Sequence, residues 1–209
     1  MRDNQKALTL IKNMLFHSHS LPIYRWNASD CDFLIVINES TNAILYNLTE
    51  GFIKIRSCRA GPIKMPSAAD RIGIIYTEYR ILSKNKLQLG GVSIGLSAKE
   101  MPLDTSLGSR VSYGYAEFGR IESTNANGNE TTIWANVPTF RIGDVAGCGL
   151  NRATRQVFFT KNGQRLNITN LYVEEYTADF YPTVSLFGHG DAVEANFGPI
   201  FKYDLSKEF

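Results

Sequence analysis

Gly91-Val92-Ser93-Ile94-Gly95 has the G-x-S-x-G spacing of a serine nucleophile lifted out of a sheet by a sharp strand-to-helix turn. In that chemistry the serine attacks a carbonyl while a histidine takes its proton. Only His189 lies downstream to serve as the base, since His17 and His19 are upstream. The flanks oppose an elbow: Val92 and Ile94 continue a strand, and LSAKEMPLD meets Pro102 too soon to make a helix. A strand with glycines where neighbours approach closely fits better, so a serine hydrolase using Ser93 is a remote alternative.

Other candidate groups are weaker still. His17-x-His19 with Cys31 lacks the second close pair that structural zinc requires. Glu174 and Glu175 are adjacent, and adjacent side chains in a strand point to opposite faces, which suits solvation better than paired acid–base work. Cys148 sits in an apolar strand, where a buried, inert thiol is expected. No P-loop and no G-x-G-x-x-G motif occurs. The expectation is no catalysis, no metal and no cofactor.

The charge is +2 in 209 residues, unevenly spread. Residues 1–50 carry −1, residues 51–90 carry +6 and residues 91–209 carry −3. A nucleic-acid binder would show a strongly basic domain with a recognition element, and neither is present. The basic block suits the rim of a site for an acidic protein segment instead. No apolar run approaches the ~20 residues of a membrane span. Lys12 breaks the one apolar stretch near the start, so no signal peptide is read there. Three widely spaced cysteines, Cys31, Cys58 and Cys148, make no disulfide framework and fit a reducing compartment. The chain as written is therefore expected in the cytoplasm, or outside the cell if a leader precedes it. Sequons at Asn27, Asn38, Asn47, Asn129 and Asn167 reflect Asn richness first and secretion second.

The elements that must position these residues are mostly strands. Residues 4–16 are the exception: Ala7, Leu8, Ile11, Met14 and Leu15 share one face of a short amphipathic helix. Such a helix is too short to stand alone and must pack on the body or on a partner. Period-two segments follow at 33–37, 43–48, 52–57, 74–81, 91–96, 144–150, 156–160, 181–186 and 192–197. Asn162-Gly163 between two of them predicts a type I′ hairpin, whose central residues both need positive φ. Many short antiparallel strands with turns every ten residues or so predict an all-β sandwich. Residues 58–73 and the Asn-rich 119–138, which holds Trp134, read as long loops suited to binding.

The series GIIYTEYRILSK (73–84), GGVSIGLSAKEMPLD (90–104), SYGY (112–115), IGDVAGCGLN (142–151), FFTKNG (158–163), YPTVSL (181–186) and VEANFGPIFKYDL (193–205) resembles a SPRY domain. Within that superfamily it looks most like the Ran-binding protein M group and the secreted SPRY effectors of plant-parasitic nematodes. LPIYRWNASDCDFLIV (21–36) matches the family's entry segment. The likeness implies residues 21–209 as one SPRY domain, a bent antiparallel sandwich preceded by a 1–20 extension. It also implies a non-catalytic module that takes a peptide segment or surface of a partner protein at one rim of loops. The partner would be a ubiquitin-ligase component for an intracellular adaptor, or a host protein for an effector.

Carried over residue by residue, that rim would include Arg59, Ala60 and Pro62, then Tyr113 and Tyr115, and last Phe187, Gly188 and His189; Trp134 is a further candidate because it stands in the polar 119–138 loop, whose sequence is this chain's own. Arg59 could clamp a carboxylate, the aromatic rings could supply apolar contact at low entropy cost, and Gly188 could let a backbone approach. Each has a structural alternative: an ion pair of Arg59 with Asp70 or Glu78, edge packing for the tyrosines, and core packing for Phe187.

Overall fold

The computed structural model describes residues 25–47, 54–61, 73–85, 91–124, 130–173 and 179–208. The predicted helix at 4–16, His17, His19, Pro62, Glu174 and Glu175 lie outside them, as do the side chains of 130–135.

The strands in chain order are β1 (Trp26–Cys31), β2 (Ile35–Asn38), β3 (Ala43–Tyr46), β4 (Arg56–Ala60), β5 (Ile74–Ser83), β6 (Val92–Ala98) and β7 (Ser112–Ala116). They continue as β8 (Arg120–Thr124), β9 (Glu130–Ala135), β10 (Val145–Asn151), β11 (Gln156–Lys161), β12 (Gln164–Arg165), β13 (Phe180–Leu186) and β14 (Ala192–Asn196). A 3-10 turn, Leu205–Glu208, follows β14. The strands form two antiparallel seven-stranded sheets. Sheet A runs β1-β4-β13-β6-β7-β8-β9 and sheet B runs β12-β11-β10-β5-β14-β3-β2.

Alternation explains the layers. In β5, Tyr79 and Ile81 enter the core, while Tyr76, Glu78 and Arg80 take the outer face. In β14, Val193 and Ala195 point inward, with Phe197 packed beside them. Ile94, Tyr115 and Val184 answer from sheet A. Trp26 joins the two sheets: its ring meets Tyr79 and Phe197, and its indole Nε1 donates to the Asn42 carbonyl at 2.8 Å. The predicted hairpin forms between β11 and β12, with φ of 51° at Asn162 and 80° at Gly163.

Three expectations are corrected. The stretch 119–138 is not a long loop: β8 and β9 pair across it, with Ile121 opposite Trp134 in register. Its Asn- and Thr-rich sequence hid an edge hairpin, because edge strands carry polar residues on both faces. The strand expected over 52–57 starts at Arg56 and runs to Ala60. The cysteines also pair, Cys31 with Cys58. These residues are 27 apart in sequence, but β1 and β4 are neighbours and place them opposite each other, Cα to Cα 4.0 Å. Cys148 remains a free, buried thiol, and burial pushes its pKa well above the ordinary value.

Each sheet carries a strap on its outer face. On sheet A the outward hydroxyls of Ser57 and Ser185 meet at 2.8 Å, and those of Ser97 and Thr183 meet at 2.8 Å. The segment 99–111 crosses above them: the Ser57 hydroxyl donates to the Thr105 carbonyl, and the Leu107 N–H donates to Ser185. On sheet B the segment 199–208 packs Phe201 and Tyr203 on Tyr76 and Phe158.

Candidate partner-binding rim

The structure disperses the residues proposed for the rim. Arg59 lies on β4 between β1 and β13, with only 2% of its surface exposed. Its guanidinium donates to Asp30 Oδ1 at 2.9 Å, to the Ser97 hydroxyl at 3.0 Å and to the Met101 carbonyl. Lys99 closes on the other Asp30 oxygen at 2.7 Å. An ion pair was foreseen, but its partner is Asp30 and not Asp70 or Glu78. A guanidinium already satisfied in this way has no fork left for a ligand carboxylate. Arg59 fastens the 99–111 strap.

Ala60 is fully buried. Tyr113 is buried on Phe180, and its hydroxyl donates to the Tyr172 carbonyl at 3.1 Å. Tyr115 is core: its ring meets Phe140 edge-on at 5.0 Å and Phe159 at 5.8 Å, and its hydroxyl donates to the Pro138 carbonyl. Burial pushes the Tyr115 phenol well above its ordinary pKa, so it stays neutral. The SYGY tyrosines therefore take the packing role. Pro62 is outside the described residues, and Trp134 is placed only by its backbone in β9.

Phe187, Gly188 and His189 do stand together, in the loop joining β13 to β14. Phe187 is half-buried, Gly188 is buried and His189 is exposed. This loop is braced from within by Asp191. One Asp191 oxygen accepts the N–H groups of Phe187 and Gly188 at 3.0 and 2.8 Å, and the other accepts the Asn85 N–H at 2.7 Å. The Asn85 amide donates to the His189 carbonyl at 3.0 Å, and the Ser83 hydroxyl donates to the Gly190 carbonyl. Backbone bonds between Tyr46 and residues 190 and 191 tie the loop to β3. Burial raises the Asp191 pKa, although three backbone N–H groups and Lys84 pull the other way. Asp191, Asn85 and Ser83 escaped the sequence reading. The one available signal was an Asp closing a Gly-His-Gly turn, a residue type that bonds its own neighbouring backbone.

Among the described residues the basic block does not form one face. Arg56 pairs with Asp32 at 3.3 Å and Arg59 with Asp30, both on sheet A. Arg80 pairs with Glu194 at 3.7 Å on sheet B, and Lys84 meets Glu117 at 2.8 Å. The hydrolase alternative lacks its geometry: Ser93 is buried near the start of β6, in register between β13 and β7, and the strand runs on through it where the motif needs an elbow.

A two-sheet antiparallel sandwich whose exposed loop tip is pinned by a buried carboxylate, on a frame with strapped outer faces, belongs to the β-sandwich binding modules. The SPRY domain model matches residues 71–200, more than half of the chain, and the chain belongs to that family of protein–protein interaction modules. The chain is 38% identical over 135 residues to a Ran-binding proteins 9/10 homolog of Drosophila melanogaster, covering 63% of this chain and 13% of that protein. It is 37% identical over 128 residues to Ran-binding protein 9 of Homo sapiens, covering 60% and 16%. The chain thus spans well under a quarter of the length of these two relatives. Among solved structures, the SPRY domain of human HERC1 superposes with a TM-score of 0.60 at 15% identity, covering 84% of this chain and 99% of that one. The fold extends past the matched residues, since β1 to β4 belong to the same two sheets.

Proposed function

We propose that this domain captures an extended segment of a partner protein at the rim built on Phe187, Gly188 and His189. The observation that carries the reading is the loop itself. Its tip sets the exposed His189 beside the half-buried Phe187, while Asp191 and Asn85 fix its backbone from below. A preorganised tip loses little entropy on binding, so contacts made there count in full toward affinity. The test is capture from cell extract by the full chain, wild type beside Phe187→Ala/His189→Ala, quantified by mass spectrometry. Two anchor losses of about 2 kcal/mol each should release the specific partner almost completely while leaving thermal stability nearly unchanged. Identical captures would move binding to another face.

The pairing of Cys31 with Cys58 favours a second element of the proposal, that the domain works outside the reducing cytosol, as a secreted effector against a host protein and not as a ubiquitin-ligase scaffold. Maleimide labelling of unfolded protein from its native source should then find one free thiol, Cys148. Three free thiols would return the domain to the cytoplasmic adaptor reading.

A further inference from the structure

Among the described strands, β1 is an edge of sheet A and β2 is an edge of sheet B. An open groove of about 390 Å³ lies between them, lined by Asn27 from β1, Ile37 from β2 and, beside these, Phe33 and Glu39. Phe33 is 86% exposed. An edge strand invites another chain to add to it, and natural sheets blunt or cover that edge. Two of the sequons fall at this groove. Asn27 lines it, and Asn38 ends β2 between the lining residues Ile37 and Glu39. Both asparagines are exposed, and both carboxamides are held in the same way. The Ser29 N–H donates to Asn27 Oδ1 at 3.1 Å. The Ser40 N–H donates to Asn38 Oδ1 at 3.1 Å, and the Ser40 hydroxyl donates to the same oxygen at 2.7 Å. Each oxygen is thus tied to the third residue of its own sequon. The Nδ2 of each, the atom that would carry a sugar, has no acceptor among the described residues. A bond between residues two apart needs no folded domain, so this shape is open to the chain before the sheets assemble.

We propose that Asn27 and Asn38 carry N-linked glycans that cover this edge of the sandwich and leave the binding rim open. The inference rests on the reading of the domain as a secreted protein with Cys31 paired to Cys58. In the reaction Nδ2 attacks the anomeric carbon of an oligosaccharide carried on a polyprenyl diphosphate. A nitrogen–carbon bond forms, the carbon–oxygen bond to the diphosphate breaks, and the diphosphate leaves with the bonding pair. Nδ2 gives up one proton to a base of the transferase, and nothing is oxidised or reduced. The position fits the rim. Asn38 is opposite Ala43, at the start of β3, and the Trp26 indole bond to the Asn42 carbonyl brings Asn27 to the same end. The His189 loop is tied to the other end of β3, where the Tyr46 N–H and carbonyl bond to residues 191 and 190. Asn47 follows Tyr46, so a glycan there would stand beside that loop. Hydrated, mobile chains on both sides of the groove would block strand addition, and the C–H faces of the sugars would have Phe33 to rest on.

The test takes the protein from its native source and treats it with peptide N-glycosidase A in heavy-oxygen water. Each glycosylated Asn then becomes an Asp bearing the heavy label, which mass spectrometry locates, and free thiols are counted on the same sample. One free thiol with label at Asn27 and Asn38 is the expected result. In the full chain secreted from a eukaryotic cell, Asn27→Gln and Asn38→Gln should each remove one glycan-sized step of gel mobility, and the double variant should remove both. One free thiol with both asparagines unlabelled would overturn the glycans and leave the secreted reading standing. Three free thiols and no label would overturn both together. Label at Asn47 with Asn27 and Asn38 bare would also overturn the proposal, since the covered end would then be the rim.

Discussion

The two straps solve one problem with opposite charges. On sheet A the strap 99–111 presents mostly carbonyls, and the sheet answers with donors: Arg59 to Met101 and Ser57 to Thr105, with the Leu107 N–H to Ser185 running the other way. On sheet B the strap 199–208 presents N–H groups, and the sheet answers with an acceptor. The Glu78 carboxylate receives the Lys202 and Tyr203 N–H groups at 2.9 Å each, and also the Tyr76 hydroxyl. In each case the sign of the buried charge is set by which backbone groups the covering chain turns downward, because those groups must be paired once water is gone. The difference lies in how the charge itself is balanced. Arg59 has a counter-ion in Asp30, which Lys99 also holds, whereas Glu78 is held by neutral donors. A lone arginine or glutamate in a strand sequence can thus mark a strap and not a binding site.

The comparison is broken most forcefully at Arg59. Arg59→Ala leaves the buried Asp30 carboxylate to Lys99 alone and the Met101 carbonyl without its donor. Removing one partner of a buried pair costs about 3–5 kcal/mol, so the urea midpoint should fall sharply. If instead stability holds and only partner capture is lost, Arg59 belongs to the rim after all, and the strap on sheet A needs another fastening.

Glu78→Ala sharpens the same comparison at a smaller cost. It leaves two backbone N–H groups of the strap unpaired, at about 1–3 kcal/mol for each buried group left unsatisfied. The aromatic packing of Phe201 and Tyr203 on Tyr76 remains, so the sandwich should stay folded while its C-terminal end loosens. Limited trypsin digestion should then cut after Lys202 well before the wild-type chain is cut there. A loss of stability greater than that of Arg59→Ala would reverse the ranking of ion-paired over neutrally solvated charge.

These straps also explain what was readable in the sequence. The period-two pattern of β5, the Asn162-Gly163 turn and the β14 alternation were legible because each has one buried face or a fixed φ requirement. β4 was placed four residues early because Arg-Ser-Cys-Arg-Ala shows no apolar alternation: every residue of it is buried, Ser57 and Arg59 under the 99–111 strap and Arg56 against Asp32. The pairing of Cys31 with Cys58 depends on which strands are neighbours, and no spacing rule contains that. Of the proposed rim residues whose side chains are described, Phe187, Gly188 and His189 stand together at one loop, and their binding role is the proposal made above. The tyrosines of SYGY lie buried, the packing alternative, since a side chain that can serve an interface equally well fills a core. Asp191 was missed because its role is to hold backbone and not to touch a ligand.

Asp191 supplies the smallest effect and a third test of how a buried charge is held. Like Glu78 it is satisfied by N–H groups, yet burial dominates and its pKa stands above the ordinary 3.8. The folded chain therefore keeps a proton on this group at pH values where the unfolded chain has shed it. The corresponding stabilisation is complete below pH 3.8 and is lost as pH rises through the folded value. Wild type minus Asp191→Asn should show a stability difference that declines across a window opening near pH 3.8 and extending upward, then levels off. The amide also turns a donor toward one of the N–H groups the carboxylate accepts, so hydrogen exchange at Phe187, Gly188 and Asn85 should quicken even at the plateau. A difference that stays flat with pH would mean that the three N–H groups, together with Lys84, cancel the desolvation of this carboxylate. Asp191 and Glu78 would then be the same device, one serving a strap and the other the loop that carries His189.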